Sequence, residues 1–355
     1  MPKVLILGGT GAMGKHLVNI LFNHGVDCFI TTRSNRESSC IRKNYIKGNA
    51  HDMKFLQPLL QKEKWDAIVD FMIYTTNDFE ERYNLLLDST TQYVYISSAR
   101  VYAQNDGLIT EDSPRILDVC KDQDYLATDE YALTKARQEN ILKKSDKKNW
   151  TIIRPYITFS EIRLQLSPQE KELWLYRCLH GRSIVFSKDL AEKYTTLTYG
   201  YDVAKGIASI IGKEKAIGEI FHITVNESHK WSEILSLYVK VIKRETGIEP
   251  KVKLINKWEK HIGGSYRQIF YDRLYDRCFD NSKIAQFIDP KSFKPTLQAL
   301  DECLTDFIHK QNFKEINWWS EAYKDKITGE WTSLNEIPTI KQKIKYMIIR
   351  LGLWS

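Results

Sequence analysis

The sequence predicts an α/β protein: a doubly wound parallel sheet over residues 1–155, revisited around 190–215, with a smaller C-terminal lobe. Three observations predict it. The segment "KVLILGG" is a short apolar run that leads straight into a glycine-rich turn and an amphipathic helix ending at Gly25. Strand-like and helix-like segments then alternate through residue 155, as crossover-connected parallel strands require. From residue 156 that rhythm is lost, so a separate lobe is expected over 156–310, with 311–355 as an extension.

The composition supports a globular chain. Its 355 residues are 43% hydrophobic and 27% charged, unlike a disordered segment, and suffice for a large core. The net charge of +7 suits an anionic substrate but is spread too evenly to point to nucleic acid, which is not expected as a partner. Cys28, Cys40, Cys120, Cys178, Cys278 and Cys303 lack C-x-x-C spacing, and the eight histidines show no metal-ligand pattern. Neither a metal site nor a disulfide framework is expected, and a reducing cytoplasm is the simpler setting. The apolar run at the N-terminus is shorter than a signal-peptide core, and no segment reaches membrane-spanning length without charge.

In the first turn Gly8, Gly11 and Gly14 give the spacing G-x-x-G-x-x-G between strand and helix. Gly8 suits a tight turn, Gly11 close approach of a pyrophosphate, and Gly14 close packing of helix on strand. The phosphates would lie at the helix N-terminus. A glycine-rich turn without a ligand is the alternative, but the position of this one between strand and helix favours a bound dinucleotide. "VDCFITTRSNR" supplies the second strand, and past its end stand Thr32, Arg33, Ser34, Asn35 and Arg36, with no acid until Glu37. An acid there would bond a free ribose hydroxyl, whereas an arginine pairs with a 2′-phosphate. NADP is favoured and NAD remains open, since Arg33 and Arg36 also read as solvated loop charges. "NYIKGNAHD" forms a third strand ending near Asn49, and "WDAIVDFMIY" a fourth.

The chemistry follows the fifth strand, in "TQYVYISSARVYA", where Ser97 and Ser98 stand at the carboxyl end. Open α/β sheets bind ligands at that edge. The helix in "DEYALTKARQEN" then places Tyr131 and Lys135 one turn apart. A phenol with a pKa of about 10 is a poor base at neutral pH. A nearby ammonium favours its phenolate, and a serine hydroxyl can hold the substrate oxygen beside it. Ser98, Tyr131 and Lys135 thus form a candidate proton-transfer unit.

These residues resemble a known family, the extended short-chain dehydrogenase/reductases of the NAD(P)-dependent epimerase/dehydratase group. "GGTGAMG", "SSARVY", "YALTK" and "IIRPY" occur in the family's order. "TLTYGYDVAKGI" with Asp202, "GEIFHITVNESHKWSEI" and "FDNSKIAQFI" extend the likeness over roughly residues 3–310. The resemblance implies a Rossmann-type domain with a substrate-binding lobe, a homodimer, and enzymes that mostly act on nucleotide-activated sugars. It assigns Ser98 as hydroxyl partner, Tyr131 as acid/base, and Lys135 as tuner of the tyrosine and ligand of the nicotinamide ribose. It adds Thr10, Ala12, Met13, Phe71, Met72 and Pro155 to the cofactor contacts, and places Asn49 where an acidic adenine contact is common.

Dehydratases of this family carry an Asp-Glu pair after the catalytic hydroxyl residue; here stand Ala99 and Arg100. "SSARVY" is closer to the style of 4-epimerases. A cytoplasmic nucleotide-sugar 4-epimerase or 4-ketoreductase serving polysaccharide synthesis is therefore expected. Ile157 replaces a frequent diphosphate-contacting Asn, which keeps a reductase of smaller carbonyl compounds open. A non-catalytic dinucleotide sensor or RNA-binding member is the rival from another class. The substrate contacts expected are Ser98, Arg100, Tyr131, Thr158, Arg182 and Arg273, with Arg163, Arg177, Arg267 and Arg277 as further cations of the lobe. His222 reads as a core residue of a strand. In the extension, Ile337, Ile340, Ile344, Met347, Ile348 and Leu351 recur at helical spacing beside Lys341, Lys343, Lys345 and Arg350. Such a helix either packs on its own protein or a second subunit, or lies on a partner or an anionic membrane.

Overall fold

The computed structural model describes residues 1–38 and 40–353. Its main sheet has seven strands: β1 (Lys3–Leu7), β2 (Asp27–Thr32), β3 (Lys43–Lys47), β4 (Trp65–Asp70), β5 (Thr90–Ile96), β6 (Trp150–Pro155) and β7 (Ile220–Ile223). They lie in the order 7-6-5-4-1-2-3, every neighbouring pair parallel. The chain reverses its direction of travel across the sheet at β1, so β1 and β4 flank the crevice in which sheets of this kind bind ligands.

Alternation along each strand sends side chains to opposite faces. Val4 and Ile6 of β1 join one core with Leu17, Val18 and Leu21 of α1 (Gly14–Asn23). Leu5 and Leu7 join the other, with Leu56, Leu60, Tyr93 and Tyr95. Both faces are apolar because both are covered, which is why "KVLIL" reads as an unbroken hydrophobic run. The helix α2 (Tyr131–Lys144) is held more by polar bonds than by an apolar stripe. Its Glu139 accepts from Ser97 at 2.6 Å, from Arg154 at 2.8 and 2.6 Å, and from Arg115 at 3.2 Å. These buried bonds tie α2 to the ends of β5 and β6. The helix α3 (Gly200–Ile210) adds Val203, Ala204 and Ile207 to the first core.

The chain divides into two compact units. The first comprises residues 1–158, 196–227 and 278–294. The second comprises 159–195, 228–277 and 295–355. The expected lobe at 156–310 is thus interrupted twice, and the return includes 278–294, where Asn281 bonds Thr224 and Val225. His222 is a core residue: its Nε2 lies 2.6 Å from the Asp280 carbonyl and its Nδ1 3.2 Å from the Tyr102 hydroxyl. Burial pushes its pKa down to about 4.

In the second unit, the expected extension is built into the lobe itself. Helices α4 (Trp318–Thr328) and α5 (Ile340–Arg350) pack on one another over Ile316, Ala322, Ile337, Tyr346 and Ile349. Arg177, fully buried, reaches Glu321 at 2.8 Å, Asp325 at 3.1 Å and Glu330 at 3.2 Å. Asp325 also accepts from Tyr346 at 2.8 Å and Thr332 at 2.7 Å. Removing one partner of such a buried set costs about 3–5 kcal/mol.

Candidate active site

The three motif glycines occupy three different situations. Gly8 sits at φ +71°, a left-handed conformation that other residues adopt only with strain. Gly14 lies so close to Gly9 that a β-carbon would come within 2.7 Å of its backbone. At Gly11 a β-carbon would meet nothing within 4 Å. Sterics within the protein therefore explain Gly8 and Gly14, whereas the bare backbone at Gly11 borders open space. The following helix α1 starts at Gly14 without a side-chain cap, which leaves its N-terminal dipole facing the turn.

That space is a cavity of about 360 Å³ lined by Gly8, Thr10 and Gly11 after β1, Thr31, Thr32 and Arg33 at β2, and Gly48, Asn49, Ala50 and His51 after β3. Phe71, Met72 and Ile73 close it after β4. Four adjacent strand ends thus surround one cleft at the reversal point of the sheet. The donors, the glycine cradle and the apolar Phe71 and Met72 fit a dinucleotide. Arg33 lines the cavity, but Arg36 does not: its guanidinium lies 6.0 Å from the centre of the Tyr45 ring. Ala12, Met13, Gly14 and Pro155 also lie outside its lining, with Met13 accepting at 3.7 Å from Thr158.

Beyond β5, Ser98 begins a short turn, Ala99–Val101, on which α2 packs. The Ser98 hydroxyl accepts from the Arg100 amide at 3.2 Å. Arg100 bonds Glu130 at 2.6 Å and holds its guanidinium 5.4 Å from the centre of the Tyr131 ring. Glu130 is also the N-cap of α2, accepting from the Ala132 amide at 2.8 Å and from Tyr125 at 3.0 Å. Such a cap fixes the first turn of the helix, and Tyr131 is its first residue.

Lys135, one turn on, is buried. Its ammonium donates to the Ile96 carbonyl at 2.8 Å and lies 4.6 Å from the Tyr95 ring centre and 6.0 Å from that of Tyr131. Burial pushes its pKa down to about 8, opposed by the charges of Asp70 and Glu139. Burial likewise raises Asp70, which accepts from the Met72 amide and the Tyr93 hydroxyl, each at 2.9 Å. A cation beside a phenol favours the phenolate. The arrangement can therefore take a proton from a hydroxyl and return it.

The lobe arginines take other roles than the sequence suggested. Arg182 was expected at the substrate; its fork instead binds Glu336 twice at 2.9 Å. Arg273 is buried against Asp272, to which Arg277 also bonds at 3.1 Å. Arg163 pairs with Glu170 at 3.4 Å. Arg100, expected as a substrate contact, stands beside Tyr131 and bonds Glu130 there. Sequence reasoning missed Glu130, Asp70 and His51. The first two had signals: an acid before a helix, and an acid closing an apolar strand. His51 had none.

Comparisons with known proteins bear on the family and the fold. A model of the NAD dependent epimerase/dehydratase family matches residues 4–224. The chain is 29% identical over 242 residues to the chloroplast stem-loop binding protein of 41 kDa b from Arabidopsis thaliana, covering 62% of this chain and 58% of that one. It is 26% identical over 165 residues to a UDP-glucose 4-epimerase from Lactobacillus helveticus, covering 41% and 47%. It therefore spans about half the length of these curated relatives. The crystal structure of a dTDP-glucose 4,6-dehydratase from Bacillus anthracis in complex with NAD superposes with a TM-score of 0.65 at 15% identity, covering 88% of this chain and 98% of that one.

Proposed function

Because this chain belongs to the NAD dependent epimerase/dehydratase family, we propose that it is a nucleotide-sugar 4-epimerase that uses NADP in preference to NAD. The observation that carries this reading is the buried Lys135 ammonium one helical turn from Tyr131, at the carboxyl edge of β5 where Ser98 stands. The glycine cradle at Gly11 and the cavity beside it, which Arg33 lines, support a bound dinucleotide.

When bound, the dinucleotide supplies a reversible hydride acceptor. Tyr131 would accept the proton of the sugar hydroxyl as that carbon is oxidised to the ketone. Ser98 holds the oxygen, and Lys135 with Arg100 stabilises the phenolate. Tyr131 would then return the proton to the same oxygen, and because the chemistry supplied by the dinucleotide would be reversible, inversion of the centre would involve no net redox change. Glu130 and Glu139 position α2 throughout.

The test is to denature the purified protein, identify any released dinucleotide by mass and absorbance, and offer UDP-, GDP-, CDP- and dTDP-sugars. An isomeric product without net change in reduced cofactor supports the epimerase. Stoichiometric consumption of NADPH with a keto-sugar would replace it with a keto-sugar reductase; consumption with a smaller carbonyl compound would replace it with a reductase of such compounds, the reading that the buried apolar Ile157 favours. The Arabidopsis likeness favours a second reading, stem-loop RNA binding on the same fold. Retention of RNA on a native gel, with no turnover of any sugar and no effect of Tyr131→Phe, would establish that one.

A further inference from the structure

Helix α5 has two apolar faces, and the protein uses one. Tyr346 and Ile349 are buried against α4 in the second unit. On the opposite side Ile340 and Ile344 are 76% and 56% exposed, followed by the C-cap Leu351 at 53%. At 3.6 residues per turn Ile340, Ile344 and Leu351 fall on a single stripe, with Met347 and Ile348 at its margins. Lys341 and Lys345 border the stripe on one side, and Lys343 and Arg350 on the other. From residue 337 to 353 there is no acidic residue. Trp331, half exposed, lies beside this flank with the Arg350 guanidinium 4.3 Å from its ring centre.

We propose that α5 is a docking surface for an anionic membrane. An apolar stripe bordered by cations on both sides matches a helix lying in the plane of a bilayer, its isoleucines at the acyl boundary and its lysines among the headgroups. An aromatic side chain at the rim suits the same interface. A second copy of the chain is the weaker occupant, because two such helices would bring like charges together and α5 itself carries no carboxylate. The fold does not depend on the stripe: the Tyr346 hydroxyl bonded to Asp325 and the core around Ala322 and Ile337 hold α5 in place. No helix among the described residues is long and apolar enough to cross a membrane, so the contact is peripheral.

The experiment is sedimentation of the full chain with vesicles of phosphatidylcholine, with or without phosphatidylglycerol. Binding is expected only to the mixed vesicles and is expected to fall steeply as salt is raised. Ile344→Glu should weaken it by tenfold or more, about 1.4 kcal/mol. Lys341→Gln with Lys345→Gln should cost about fivefold for each charge. Both variants alter exposed side chains, and an unchanged thermal midpoint checks that they fold. Absence of binding to mixed vesicles, or equal binding by Ile344→Glu, would overturn the proposal. A concentration-dependent dimer abolished by Ile344→Glu, without vesicle binding, would assign the stripe to a second copy instead. None of these outcomes depends on the reaction proposed above.

Discussion

The Lys135 ammonium stands 6.0 Å from the centre of the Tyr131 ring while bonded to the carbonyl of Ile96, the last residue of β5. The sheet, not solvent, therefore sets the position of the cation that faces the phenol. Because Ser98 follows the same strand end, the hydroxyl and the ammonium share one rigid support, and Glu139 locks the helix to it.

Tyr131→Phe removes the proton acceptor and leaves the ring. Glu130 caps α2 through the Ala132 amide and is itself bonded by Arg100, so α2 should keep its place. Turnover of the sugar identified in the screen is expected to fall by about 100-fold or more. Dinucleotide affinity, measured by calorimetry, should change far less. Equal turnover in the variant would remove Tyr131 from the chemistry.

Lys135 predicts a pH dependence of stability. Its folded pKa is pushed down to about 8 from an ordinary 10.5. Between those values the unfolded chain still holds the proton and the folded one has released it, so folding gains stability as pH rises. Wild type compared with Lys135→Met in denaturant titrations should therefore improve from pH 8 towards 10, with the difference flat below about pH 7. A difference that is flat throughout would show that the folded lysine titrates as it does in water.

Arg33 lines the cavity beside the glycine turn, at the end of a strand that offers no acid to a ribose hydroxyl. Arg33→Ala should weaken NADP binding by about tenfold, the low end for a charge-assisted hydrogen bond because the side chain is exposed. NAD binding should be unchanged or improved. Equal losses for both would place Arg33 away from the 2′-phosphate, and a native preference for NAD would remove the basis for NADP.

The sheet and the glycine turn could be read from the sequence because their causes are local. Val4 to Leu7 are buried on both sides and hence continuously apolar, and Gly8 and Gly14 answer to neighbours within a few residues or one strand away. The polar partners could not. Arg182 finds Glu336, 154 residues away, and Arg177 finds Glu321, 144 residues away. A buried, paired arginine and a phosphate-binding one look alike in a linear string. The second return of the chain, at 278–294, was hidden for a similar reason: it adds no strand to the sheet but fills a gap with Asn281 and Ile284.

Gly11 and Gly14 separate binding from folding. A β-carbon at position 14 would collide with the Gly9 backbone, so Gly14→Ala should destabilise the protein by about 1–3 kcal/mol, as overpacking does. At position 11 the same carbon enters open space, so Gly11→Ala should leave the thermal midpoint unchanged. It would stand where a pyrophosphate has to approach, and dinucleotide affinity should drop by tenfold or more, about 1.4 kcal/mol. Thermal melts with and without NADP distinguish the two: Gly14→Ala melts early in both, whereas Gly11→Ala matches wild type alone and loses the rise on adding cofactor. If Gly11→Ala kept that rise, the cavity beside the turn would not be where the phosphates bind.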